Sequence, residues 1–265
     1  MIPEFHIFGK EFSAYMIMAL IGILSTLCFL LKLAKKNSID VIEVESLFLI
    51  SFVGVIIGSH LMCGVGNYQT IILLLKNIHQ IRSLKQLLNT LVLVFGGSFF
   101  YGGLLGAILV GFIYIKKKKL DSKLYFDIGA LAIPLFHFFG RIGCFLSGCC
   151  YGIECRYGVI YHYSIVNSAN GAKRFPVQLV EALFNICLFL VLLYLFNKKE
   201  KQGKLIYIYL TSYSIVRFFL EYLRGDYYRG FIGSLSYLQI LSLIIALTAS
   251  AKLVLECKKN MLRNI

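Results

Sequence analysis

The sequence predicts an all-α polytopic membrane protein of about seven transmembrane helices, with a surface helical arm and a second extracytoplasmic loop. Three observations predict it. Of the 265 residues, 58% are hydrophobic and only 15% charged, whereas a soluble domain carries about 25% charged residues. Apolar stretches of the roughly 20 residues that a bilayer-spanning helix needs recur along the chain. Lys and Arg sit mostly in short runs between those stretches, such as Lys35-Lys36, Lys116 to Lys119 and Lys198-Lys199. The composition excludes a soluble domain, and it excludes disorder because so apolar a chain buries surface readily. The spacing of the cations turns the formal net charge of +14 into a matter of topology and anionic lipid, with no nucleic acid implied.

The expected spans are 12–32, 47–65, 98–115, 124–146, 176–196, 205–223 and 232–255. Before the first, Met1 to Glu11 is mildly acidic and has no basic stretch, so no cleavable signal peptide is expected. The first span ends where Lys32, Lys35 and Lys36 begin. Between the second and third, residues 66–95 are less apolar, because Lys76, His79, Arg82 and Lys85 interrupt 70–93. That stretch reads as an interfacial arm on the membrane surface. The third span opens on the Gly-rich run 96–103, and the fourth closes on His137-Phe-Phe-Gly140-Arg141-Ile-Gly143. Residues 147–175 form the second loop, rich in Gly, Cys and Tyr. Pro176 opens the fifth span, where its missing N–H costs nothing in a first helical turn. The sixth carries Arg217 and Glu221, and the seventh leads to a basic end.

Orientation follows from the basic residues. One set of loops holds Lys32, Lys35, Lys36, Lys116 to Lys119, Lys123, Lys198, Lys199, Lys201, Lys204, Lys252, Lys258, Lys259 and Arg263. The opposite set holds fewer: Lys10, Lys76, Arg82, Lys85, Arg156, Lys173, Arg174, Arg224 and Arg229. The positive-inside rule therefore puts the N-terminus outside and the C-terminus in the cytoplasm, with the arm and the 147–175 loop outside.

Ionisable residues inside a membrane are costly and face a bundle interior or a cavity. Here they are Arg141, Glu181, Arg217 and Glu221, with Arg224 a turn beyond. Arg217 and Glu221 are four apart and share a helical face. Two readings stay open at this point. In one, a buried pair holds helices in register while Arg224 snorkels to the interface. In the other, the guanidinium groups form an anion site suited to a phospholipid headgroup, since their planar forks match phosphate. The glycines at 96–103 and at 140, 143, 148 and 152 let helices approach or let backbone N–H groups face a ligand, packing being the first reading.

The chain has eight Cys in all, and their even number says little about disulfides in a membrane chain. Cys144, Cys149, Cys150 and Cys155 fall close together. Packing as small hydrophobes is the first reading, an extracytoplasmic disulfide or redox role the second, and metal ligation the third, because no CxxC pair occurs. No metal or cofactor is expected. His137 reads as a buried, hydrogen-bonded histidine.

Five segments in order resemble a known family, the bacterial prolipoprotein diacylglyceryl transferases. Ser13-Ala-Tyr15 is similar to its early Tyr-containing helix, and Ser98-Phe-Phe-Tyr101-Gly-Gly-Leu to its Ser-Phe-His-Gly-Gly-Leu segment. Gly140-Arg141-Ile-Gly143-Cys144-Phe145 through Gly152 resembles its Gly-Arg-Ile-Gly-Asn-Phe-Ile-Asn-Gly-Glu signature. Arg174-Phe-Pro176-Val-Gln178-Leu-Val-Glu181 and Tyr213-Ser-Ile-Val-Arg217-Phe-Phe-Leu-Glu221-Tyr-Leu-Arg224 match its remaining two. The resemblance implies one integral membrane transferase domain over 1–265 in the bacterial inner or plasma membrane. It implies transfer of the diacylglyceryl group of phosphatidylglycerol to the lipobox Cys thiol of a prolipoprotein signal peptide, releasing glycerol phosphate. It also implies roles. Arg141 and Arg217 would stabilise the leaving phosphate, Glu221 would position Arg217 or act as a base, and Tyr101 would orient or deprotonate the thiol. Tyr15, Gly102, Gly103, Gly143, Gly152 and Arg224, with Arg141, would bind lipid.

This chain departs from the family pattern at several positions. Tyr101 stands where many members have His, Cys144 and Ser147 replace two Asn, Cys149 replaces Glu, and His60 stands where an Arg is common. These departures keep open a related enzyme that moves a phospholipid-derived group to another acceptor. A non-catalytic lipid-binding or transport protein is the third hypothesis, although no internal repeat is evident.

Overall fold

The computed structural model describes residues 2–7, 10–81, 83–97, 100–199, 202–226 and 230–263. Of the residues used above, Arg82, Ser98, Lys201 and Arg229 lie outside them. Among the described residues the chain is mostly α-helical and divides into two compact units, Leu31–Tyr125 and the combination of Met1–Leu30 with Phe126–Ile265. Five helices are long and apolar enough to cross a membrane: α1 (Ala14–Lys36), α2 (Val41–Gly66), α6 (Ser122–Ser147), α7 (Val177–Lys198) and the Tyr237–Lys258 part of α9 (Tyr237–Arg263). The other two expected spans coincide with shorter helices, α5 (Phe100–Lys117) and α8 (Leu205–Leu220). α8 is prolonged by a 3-10 turn over Glu221–Leu223.

The unit Leu31–Tyr125 is built on α2 and α5, which touch backbone to backbone. A Cβ on Gly54 would stand 2.6 Å from the carbonyl oxygen of Gly106, and one on Gly103 would stand 3.1 Å from Cγ1 of Val55. Gly58 and Gly102 face each other in the same way. Small residues are what allow such an approach where lipid gives no hydrophobic drive. α2 begins six residues before the hydropathy suggests, and capping is the reason. The Asp40 carboxylate accepts from the backbone N–H groups of Ile42 at 2.9 Å and Glu43 at 3.3 Å. Glu43 in turn accepts from the Tyr114 hydroxyl at 2.5 Å and Lys118 Nζ at 3.2 Å, which neutralises an acid at an otherwise apolar helix start.

The expected arm is two short helices, α3 (Tyr68–Lys76) and α4 (Leu84–Phe95), separated by a 3-10 turn at Ile78–Gln80. Its return end is tied to α2. Asn67 Nδ2 donates to the carbonyl of Val94 at 2.9 Å, and His60 Nδ1 lies 2.7 Å from the carbonyl of Phe95.

The other unit contains most of α1 and of α6, and α7 to α9. Against the all-α expectation, its described residues also form three small antiparallel sheets: β1 (Glu4–Ile7) with β2 (Lys10–Ser13), β3 (Glu154–Ile160) with β4 (Lys173–Arg174), and β5 (Phe231–Ile232) with β6 (Leu235–Ser236). Each sheet shifts a helix boundary or shapes a loop. β2 holds residues 12 and 13, so α1 starts at Ala14. The β5–β6 turn, with Gly233 at φ 60°, delays α9 to Tyr237. β3 and β4 organise the 147–175 loop around the buried residues Tyr151, Tyr161 and Ala169. Arg174 stitches that loop, donating to the carbonyls of Ala169 and Ser168 at 3.1 and 2.9 Å and lying 4.7 Å above the Tyr151 ring.

Candidate functional site

The charges of the apolar helices pair up. Arg141, on α6, donates from Nη2 to Oε1 of Glu181 on α7 at 2.9 Å, and the Tyr213 hydroxyl of α8 reaches the same oxygen at 2.8 Å. Arg141 Nε donates to Nε2 of His137 at 3.1 Å. A ring nitrogen that accepts carries no proton, so His137 is neutral and holds its proton on Nδ1. Its ring meets Tyr213 edge-on with centroids 5.1 Å apart. Three side chains from three helices, Tyr213 acting through Glu181, thus fix one guanidinium.

Arg217 and Glu221 form the expected pair, Nη2 to Oε2 at 2.6 Å, with both side chains at most 3% exposed. Glu221 Oε1 also accepts from Ser236 Oγ at 3.1 Å. Arg217 acts electrostatically on Glu181 together with Arg141, which places the two pairs in one cluster. Nη1 of Arg217 is buried and has no hydrogen-bond partner among the described residues. Arg224, also buried, is gripped at both ends by Asp226, with Nε to Oδ1 at 2.7 Å and Nη2 on Oδ2. Breaking such a buried pair by removing one partner costs about 3–5 kcal/mol, because it strands a charge in a medium that cannot solvate it.

Other residues singled out by the sequence arrange around these. Gly143 lies where α6 meets α1, and a Cβ there would stand 3.2 Å from Cα of Tyr15. Tyr15 is partly exposed and within electrostatic reach of Arg141. Gly152 bridges to Arg224 in an antiparallel backbone pair, and a Cβ on it would press on the carbonyl oxygens of Phe175 and Leu223. It therefore joins the 147–175 loop to the chain leaving α8. Tyr101, buried in the first turn of α5, and Gly102 and Gly103 belong to the other unit, where both glycines sit against α2.

Three of the four clustered cysteines come together. The Sγ atoms of Cys144, Cys149 and Cys150 lie within 4.8 Å of one another. Gly148 at φ 79° and Cys150 at φ 58° reverse the chain after α6. Gln178 Nε2 donates to the carbonyl of Cys149 at 2.7 Å, and Ser164 Oγ donates to that of Gly148 at 3.0 Å, which holds the turn. Hydrogen bonds from Cys144 and Cys149, then Arg224 and Arg141, hold the Cys150 thiol well below the usual thiol range. Cys149 is favoured by Cys144, but its hydrogen bond with Cys150 and burial push it up to about 12.

Sequence reasoning missed Asp226 and the partnership of Arg141 with Glu181, forty positions away. One signal was available for a local contact: His137 stands four residues before Arg141, the spacing that stacks side chains on one helix face.

Comparison with known proteins gives one consistent result. Residues 4–255 match the family model described as prolipoprotein diacylglyceryl transferase. The phosphatidylglycerol–prolipoprotein diacylglyceryl transferase of Clostridium tetani (strain Massachusetts / E88) is 32% identical over 242 residues, covering 90% of this chain and 91% of the relative. That of Campylobacter jejuni subsp. jejuni serotype O:23/36 (strain 81-176) is 31% identical over 257 residues, covering 94% and 90%. That of Clostridioides difficile (strain 630) is 30% identical over 258 residues, covering 97% and 95%.

Proposed function

The chain belongs to the prolipoprotein diacylglyceryl transferase family, and from that premise we propose that it transfers the diacylglyceryl group of phosphatidylglycerol to the thiol of a prolipoprotein lipobox cysteine. The bookkeeping of atoms is simple. A C–S bond forms to the terminal glycerol carbon of the diacylglyceryl group, the C–O bond to phosphate breaks, and the electron pair leaves on glycerol phosphate. The thiol gives up its proton to solvent before or during attack, since the thiolate is the nucleophile.

The observation that carries this reading is the buried cluster of Arg141–Glu181 and Arg217–Glu221, with Nη1 of Arg217 unengaged among the described residues. A phosphodiester bears one negative charge and the departing monoester bears more. Fixed guanidinium groups in a dry site therefore gain more from the transition state than from the bound lipid. Glu181 and Glu221 hold the two Arg in position. In this reading Tyr101 orients the incoming thiol, Tyr15 and Arg224 contact the headgroup, and Gly102, Gly103, Gly143 and Gly152 let lipid and helices approach closely. The chain crosses the bacterial plasma membrane about seven times, through α5 and α8 in addition to the five longer helices. Its N-terminus and the 147–175 loop face outside, its C-terminus faces the cytoplasm, and the arm of α3 and α4 lies on the outer surface among membrane lipids.

Purified protein given phosphatidylglycerol and a lipobox peptide is expected to release glycerol phosphate in a peptide-dependent manner. No release with the peptide present contradicts the proposal. The sulfur cluster, standing where the family signature carries polar groups, favours one second reading: a relative that serves a different acceptor. Rescue of a transferase-depleted strain by this chain rejects that second reading, and lipid cleavage without rescue supports it.

A further inference from the structure

The function above makes no use of the three sulfurs that the turn after α6 brings together. We infer that Cys144, Cys149 and Cys150 form a three-thiolate site for a thiophilic d10 cation of the Zn2+ or Cu+ class. The spacing in sequence argues against this, because two of the cysteines are adjacent and the third is five residues earlier. The backbone overturns that argument. Left-handed residues at Gly148 and Cys150 fold the chain back over the last turn of α6, so both later thiols meet Cys144.

The geometry is close to what a metal needs. Metal–sulfur bonds of about 2.3 Å place three sulfurs about 3.8–4.0 Å apart, and the three Sγ atoms already lie within 4.8 Å of one another. The closing movement required is under about an ångström. None of the three is in a disulfide, and each residue is partly exposed. The turn is rigidly held from outside the cluster, by Gln178 on the carbonyl of Cys149 and Ser164 on that of Gly148.

Donor chemistry selects the class of ion. Among the described residues no carboxylate or imidazole joins the group, which disfavours Mg2+ and Ca2+, since these cations take carboxylate-rich oxygen sites. Soft thiolates favour Cu+ and Zn2+. Three thiolates around either cation carry net negative charge, and the guanidinium groups of Arg141 and Arg224 lie within electrostatic reach of Cys150 to offset it. Binding displaces the thiol protons to solvent and changes no oxidation state. A loaded site would clip the start of the 147–175 loop to the end of α6, next to Arg141.

The test uses the full chain in detergent, prepared without oxygen, and needs no lipid substrate, so its failure is separate from failure of the transferase reading. Protein incubated with Zn2+ and desalted is expected to retain one ion per chain. Co2+ in its place is expected to give a sulfur-to-metal charge-transfer absorption. Cys144→Ser, Cys149→Ser and Cys150→Ser are each expected to lose stoichiometric retention, while Cys155→Ser and Cys187→Ser keep it. In the unsubstituted chain, Zn2+ is expected to slow alkylation of those three cysteines alone, which requires no variant to fold. The inference is overturned if no ion is retained, if the three variants retain it unchanged, or if the intact mass shows a disulfide within the group.

Discussion

Glu181 illustrates how a single residue acquires meaning only in three dimensions. It accepts from both Arg141 and Tyr213 on one oxygen, and it is 1% exposed. Glu181→Gln keeps the shape and removes the charge, so it leaves a buried guanidinium without its counter-ion. The expected loss is about 3–5 kcal/mol, read as a lower midpoint of thermal unfolding in detergent; a change below ~1 kcal/mol would show that water reaches the pair. Tyr213→Phe removes only a hydrogen bond to a charged group and is expected to cost about 1.5–3 kcal/mol. At this scale, legibility followed distance along the chain. Arg217 and Glu221 could be paired from their spacing of four, whereas Arg141 and Glu181 sit on different helices and offer no local signal. Arg224 read either as a snorkelling cation or as a lipid contact, because nothing in an apolar-run argument anticipates that Asp226, two residues on, grips it.

Hydropathy located a helix in each of the seven expected stretches, because a run of apolar residues is a one-dimensional property. Their ends were less legible, and the reasons are specific. α2 extends back to Val41 because Asp40 caps it and because Tyr114 and Lys118 satisfy Glu43. α1 and α9 start late because short strands occupy their apolar approaches. Strand pairs of two to four residues are too short for a periodicity to register. Close approach between helices gives two contrasting predictions. Gly106→Val pushes a side chain into the backbone of Gly54 and is expected to destabilise by about 1–3 kcal/mol, seen in the same unfolding measurement. Gly129, in α6, would have nothing within 4 Å of an added Cβ, so Gly129→Ala is expected to stabilise by about 0.5–1 kcal/mol through lower backbone entropy in the unfolded chain. If both substitutions destabilise equally, the packing account of the α2–α5 contact is wrong.

For the whole molecule, the proposed topology reads the excess of cations as an address label for membrane orientation rather than as a clue to a partner. The proposed orientation puts Tyr157, 89% exposed on β3, on the opposite side from Lys117. In intact cells an impermeant maleimide is therefore expected to label Tyr157→Cys and spare Lys117→Cys, with the sites mapped by peptide mass; the reverse pattern inverts the topology. Family membership was legible because five short segments keep their order across the chain, and order along a chain survives substitutions that blur any one motif. The division into two compact units was not legible, since both units are made of the same apolar helices. The sequence showed four cysteines close together, but not that three of their thiols meet, because that depends on left-handed turns that spacing does not reveal.

The central claim is that the buried guanidinium cluster drives diacylglyceryl transfer to a thiol. Its most direct test is the mass of a lipobox peptide after incubation with phosphatidylglycerol and either the unsubstituted chain or Arg141→Ala. The account predicts a gain of one diacylglyceryl group with the unsubstituted chain and a rate lower by at least about 100- to 1000-fold with the variant, the loss expected on removing one donor to a developing anion. An unmodified peptide, or equal modification by a folded Arg141→Ala, would contradict it.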